Sequence, residues 1–170
     1  MNRRQMLFAS LVATTMGLAS QAALAEEHND PALIKAMGNA KVTLQQGLTA
    51  AAQEGQPISA KFEMEDGKLQ LSVYTSKGGK FSEVIVDYTS GKVTKTEAIT
   101  EGEDLTAAKA QSAAMAKAKT DLKAATDKAA AGMAGSRAVS VTPDTKGGRA
   151  VASVTLVDGG QFKTVEQSLE

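Results

Sequence analysis

Few residues in this 170-residue chain have the types or spacing that chemistry would need. His28 is the only histidine, and Glu26, Glu27, Asn29 and Asp30 around it form a loose acidic cluster. A metal centre needs convergent ligands in a fixed geometry, and one histidine in a terminal segment does not supply them. There is no cysteine, which removes disulfides, thiolate metal sites, a cysteine nucleophile and a lipidated amino-terminal cysteine together. From one exposed terminal histidine and no cysteine, neither a Ser/His/Asp constellation nor a Cys/His pair can be assembled convincingly. Paired carboxylates are the remaining catalytic option, and Glu63, Glu65 and Asp66 lie close in sequence. Strand alternation puts both glutamates on the polar side, where they read as a solvated charge pair. Asp87 precedes Thr89-Ser90-Gly91 and suits local hydrogen bonding in a turn. Gly78-Gly79 and Gly147-Gly148 lack the Lys-Ser/Thr of a phosphate loop. Lys109, Lys117, Lys119, Lys123 and Lys128 are scattered among alanines as a solubilising surface. The residues thus predict no enzyme, no catalytic or cofactor-binding site and no metal site.

The amino terminus gives the setting. Asn2, Arg3, Arg4 and Gln5 precede the apolar run Met6 to Ala13, and small residues at Ala23 and Ala25 are followed by Glu26. This is the order of a secretory signal peptide, residues 1–25, cleaved between Ala25 and Glu26. Thr14, Thr15, Gly17, Ser20 and Gln21 interrupt the run, whereas a spanning helix wants about 20 apolar residues, so no membrane anchor is expected after cleavage. Asn2 to Leu7 also fits a loose twin-arginine pattern, and the export route stays open between the two. The expected location is the periplasm or the exterior.

Cleavage removes Arg3 and Arg4 and leaves 17 basic residues against 19 acidic ones, a net charge of about −2 with histidine neutral. Nucleic-acid binding favours a basic excess. The only aromatic residues left are Phe62, Tyr74, Phe81, Tyr88 and Phe162, too few for a stacking platform.

The elements that would carry any site are read from an internal repeat. With Gly78-Gly79 set on Gly159-Gly160, an offset of 81, Gly67 meets Gly148, Ser72-Val73 meets Ser153-Val154, Phe81 meets Phe162 and Val84 meets Val165. Upstream the offset becomes 78, pairing Met37 with Met115, Lys41 with Lys119 and Leu44 with Leu122, with three residues gained around Gly132-Met133-Ala134. Asp30-Pro31 starts a helix that Gly38-Asn39 stops. Thr43 and Gln46 form a capping box ahead of Leu44, Leu48, Ala51 and Ala52, and Gly55 with Pro57 ends that element. From Ile58 the period becomes two, Asp66-Gly67 makes a hairpin turn, and strands follow through Lys92 to Ala98. In the second copy Asp104 to Ala131 lacks proline and glycine and predicts one helix of roughly 40 Å. Leu105, Ala108, Met115, Leu122, Ala129 and Met133 are its packing stripe. Strands are expected at Ala138 to Thr142, Ala150 to Val157 and Phe162 to Leu169, without room for a fourth before Glu170. The expected fold is α+β: two related units, residues 30–99 and 104–170, each a helical segment followed by a three- or four-stranded antiparallel β-meander.

In the first copy, Thr43-Leu44-Gln45-Gln46, the strand ending at Asp66-Gly67-Lys68 and the run Val86-Asp87-Tyr88-Thr89-Ser90-Gly91-Lys92-Val93 resemble a PepSY domain over Lys41 to Ala98. The second copy resembles it more weakly over Lys119 to Glu170 and lacks the aspartate and glycine of the last turn. The resemblance implies a helix-plus-sheet fold, an extracytoplasmic setting and a role in inhibiting or regulating peptidases, with no catalytic residues. Two expectations follow. One is a non-catalytic exported module that binds a protein partner, such as a peptidase or a membrane protein, through a sheet edge or face. The other is a small-ligand or metal-responsive accessory of a membrane redox or transport system.

Overall fold

Alternating apolar residues after two capped helices build a single sheet. The computed structural model describes residues 30–170; the expected cleavage site at Ala23, Ala25 and Glu26, and His28, lie outside them. The elements are α1 (Pro31–Met37), α2 (Leu44–Ala51), β1 (Gln56–Glu65), β2 (Lys68–Lys77), β3 (Lys80–Val86), β4 (Val93–Ile99), α3 (Gly102–Met115), α4 (Leu122–Ala131), β5 (Arg137–Lys146), β6 (Arg149–Asp158) and β7 (Gln161–Ser168).

The expected pair of separate helix-plus-meander units is not what forms. All seven strands belong to one antiparallel sheet in the order β4-β3-β2-β1-β5-β6-β7. The join is the pairing of β1 with β5, at Ala60 opposite Val141 and Lys61 opposite Ser140. A meander that stood alone would leave its first strand as an open edge, and unpaired backbone groups there are costly to bury and prone to pairing. Each first strand here supplies the other's partner. Ala60 and Val141 are themselves 81 residues apart, so the two edges meet at equivalent positions. β1 and β5 share that offset at both ends, as do β2 and β6, and both first strands carry a register shift, at Pro57/Ser59 and at Ala138/Ser140.

Further contacts cross the join. The Arg137 guanidinium donates to Met37 O at 2.8 Å and to Ala40 O at 3.0 Å, satisfying carbonyls at and beyond the end of α1. Ser59 Oγ donates to Gln111 Oε1 of α3 at 2.8 Å. One apolar cluster runs through both halves, from Leu44, Leu48 and Leu71 to Leu122, Val154 and Leu156.

The expected continuous helix from Asp104 to Ala131 is two helices. Composition favours continuation, but residues 116–121 turn so that the Lys119 and Thr120 amides donate to Leu169 O at 2.6 and 2.9 Å. Asp121 then caps α4 by accepting from Ala124 N at 2.7 Å. The same hook occurs in the first half, where the Lys41 and Val42 amides donate to Tyr88 O. Backbone groups satisfied by a distant strand end outweigh helix propensities of under about 1 kcal/mol per residue. Of the expected stripe, Ala108, Met115, Leu122 and Ala129 are buried, while Leu105 and Met133 are half-buried against the cluster.

The capping box forms as read: Gln46 N donates to Thr43 Oγ1 and Thr43 N to Gln46 Oε1. In α2, Gly47 makes room for Leu71, which is fully buried; a Cβ at Gly47 would lie 2.7 Å from Leu71 Cδ2. Alanine in a helix interior favours stability by about 1 kcal/mol over glycine, but overpacking costs about 1–3 kcal/mol. Gly47→Ala should therefore lower stability in urea unfolding, and in a Leu71→Ala background it should raise it. Leu71→Asp, a buried charge without a partner, should cost more than about 4 kcal/mol.

Candidate interaction surfaces

Two sheet edges and one cleft are the candidate interaction surfaces of this fold. The edge strand β4 is guarded. Its register with β3 shifts where Thr94 is the extra residue between the Ile85–Lys95 and Val86–Val93 pairs. Thr94 Oγ1 donates to Ile85 O at 3.2 Å, and Lys95 and Glu97 form an ion pair at 2.8 Å. A bulge and charged side chains are the usual devices that keep an edge from pairing further.

The other edge, β7, is built differently. Its eight residues pair with β6 in unbroken register from Val151–Ser168 to Asp158–Gln161, with no proline and no bulge. β7 occupies in the second meander the place that β3 occupies in the first, but β3 is covered by β4 and β7 has no outer strand among the described residues. The exposure differs accordingly. Phe81 and Val84 of β3 are buried, whereas their counterparts Phe162 and Val165 are half-exposed. On β7, Lys163 pairs with Asp158 at 2.9 Å. Glu166 pairs through Oε2 with Lys146.

The cleft, of about 500 Å³, lies at the β1–β5 seam beneath α3 and the start of α1. Lys61, Glu63, Tyr74, Asp104, Gln111 and Ser140 are among its lining. Register places Ser59, Lys61 and Glu63 of β1 on the same face as Gln70, Ser72 and Tyr74 of β2. Their polar groups serve one another: Lys61 Nζ lies 2.7 Å from Glu63 and 5.8 Å from the Tyr74 ring centre, and Ser72 Oγ donates to Glu63 at 2.7 Å. The strand parity that put Glu63 and Glu65 on a polar side holds, but Glu63 is half-buried and bonded rather than simply solvated. Sequence reading missed Lys61, Tyr74 and Gln111: the β1–β2 register sets Lys61 beside Tyr74, and Gln111 reaches them from α3 through Ser59, a helix placement that no local pattern encodes.

Asp87 has the turn role its sequence position suggests. It accepts from Ser90 N at 2.6 Å and Thr89 N at 3.0 Å, and its backbone pairs with Lys92 O and Gly91 N. The Ser90 amide, then the Ser90 side chain and the Thr89 amide, hold its carboxyl below the usual carboxylate range. Among the described residues no group of three or more His, Asp or Glu could hold a metal ion, and no helix is long and apolar enough to cross a membrane.

The sign of the Asp87 effect is fixed by its depressed value in the fold. The contribution is present above the unfolded value of about 3.9 and is lost as pH falls through the lower folded value. Asp87→Asn should lower the urea midpoint at pH 7, and the deficit should shrink as pH is taken below that unfolded value, measured by circular dichroism.

No family model matches the chain, and no curated protein or solved structure matches it either.

Proposed function

We propose that the protein is an exported, non-catalytic module that binds another polypeptide, in the manner of a PepSY-type inhibitor or regulator of an extracytoplasmic peptidase or membrane protein. The observation that carries this reading is the β7 edge, an eight-residue strand in unbroken register whose equivalent in the first half is covered. An exposed edge of this kind offers main-chain donors and acceptors to an added strand. Export is supported by the leader-like residues 1–25 and cleavage after Ala25.

The cleft at the seam supports the second reading, a small-ligand accessory of a membrane redox or transport system. The two readings separate in one experiment. The purified protein is immobilised and offered a panel of periplasmic and secreted peptidases, and titrated in parallel with divalent metals and small polar ligands by calorimetry. Retention or inhibition of a peptidase is the expected result. Stoichiometric binding of a metal or small ligand, with no peptidase retained or inhibited, would replace the first reading with the second.

A further inference from the structure

The first meander contains a template for what the β7 edge accepts. β4 lies antiparallel on β3 with Ile99 opposite Phe81, Ala98 opposite Ser82, Glu97 opposite Glu83, Thr96 opposite Val84 and Lys95 opposite Ile85. Shifting by 81 turns the β3 positions into Phe162, Lys163, Thr164, Val165 and Glu166 of β7. A strand laid on β7 in the same register would place its Ile99-like residue on Phe162, its Thr96-like residue on Val165 and its Lys95-like residue on Glu166. Each of those matches a need. Phe162 and Val165 are half-exposed where Phe81 and Val84 are buried. Glu166 is exposed and carries its negative charge on the outer strand, with Oε2 paired to Lys146. The site differs from the β4 edge in having no bulge to turn the incoming strand away.

We propose that the outer edge of β7 is the docking site and that it takes an extended peptide segment antiparallel to Gln161–Ser168. This segment carries a basic residue opposite Glu166, a β-branched residue next to it opposite Val165, and a large apolar residue four positions after the basic one, opposite Phe162. This inference rests on the polypeptide-binding reading and names the partner's chemistry. Main-chain pairing supplies general affinity, and alternate side chains supply the choice of segment. A basic residue is selected because a like charge directly across a strand pair disfavours it and an opposite one favours it.

The β4 sequence itself fits the pattern, since Lys95, Thr96 and Ile99 stand at the basic, β-branched and apolar positions. A synthetic peptide of residues 91–100 is therefore the probe. Labelled peptide should bind the full-length protein in fluorescence anisotropy. Glu166→Lys should weaken it about fivefold, the ratio a cross-strand charge pair gives when attraction becomes repulsion. A peptide with glutamate at the Lys95 position should regain that loss on the Glu166→Lys protein. Glu166 is exposed and its ion pair with Lys146 is of the weak surface kind, so the variant should keep its thermal midpoint.

The absence of cysteine allows a register test. In the Gln161→Cys protein, with oxidised glutathione as the two-electron oxidant, a peptide with cysteine at the Thr100 position should form a disulfide, and one with cysteine at its first residue should not, because opposite residues alone reach bonding distance. Peptide binding that ignores Glu166→Lys and gives no register-specific crosslink would overturn the β7 assignment while leaving polypeptide binding in place. Failure of this peptide to bind, with a peptidase still retained by the panel, would overturn the segment chemistry alone. Failure of both would overturn the edge and the polypeptide reading together.

Discussion

The pairing of β1 with β5 is the constraint on which the rest of the molecule depends. It is only two residue pairs long, Ala60 with Val141 and Lys61 with Ser140, yet it makes one sheet of two meanders. That join fixes which strands are outermost. It also brings α3 over β1, where Gln111 meets Ser59, and sets Arg137 against the carbonyls of Met37 and Ala40. A short ladder suffices because the helices pack across it: α2 and α4 share one apolar cluster with strands of both halves. Fully burying each large apolar side chain stabilises by about 1.5–3 kcal/mol, which far exceeds what two backbone pairs supply.

Local signals in the sequence were reliable where the chemistry is local. The capping box at Thr43 and Gln46, the alternation through Phe62 and Met64, and the Asp66-Gly67 turn, with both residues at positive φ, depend on neighbours within a few positions. The offset of 81 was equally legible, since strand boundaries and bulges repeat with it. What composition could not supply was the joining of the two meanders. A strand buried on one face looks the same whether its outer edge meets water or another strand, so nothing in Ile58 to Glu65 distinguishes an edge from the centre of a sheet.

The long helix failed for a related reason. Alanine and lysine from Ala116 to Lys119 favour helix, and the break is fixed by Leu169, some 50 residues further along, whose carbonyl accepts from Lys119 and Thr120, together with the Asp121 cap. The corresponding break after α1 was visible only because Gly38 and Asn39 mark it. The candidate edge was half legible: Phe162 and Val165 could be placed on a final strand, but their exposure relative to Phe81 and Val84 goes with β4, which has no counterpart beside β7 among the described residues. The cleft was not legible, because it exists between elements that the seam assembles.

The two carbonyl hooks, Tyr88 to Lys41 and Val42 and Leu169 to Lys119 and Thr120, bear on the order of assembly. Each helix pair is bent by a strand end that emerges roughly 50 residues later, so neither bend gains its backbone partners until its meander has closed. Closing a loop of that length carries an entropic cost that must be met before the contact rewards it, and proteins dominated by such distant contacts fold slowly. While the segment 116–121 waits for Leu169, its alanines and lysines are free to run α3 and α4 together as one rod. The chain thus has a built-in detour, a locally favoured straight helix that must bend in its middle before the second meander is sealed.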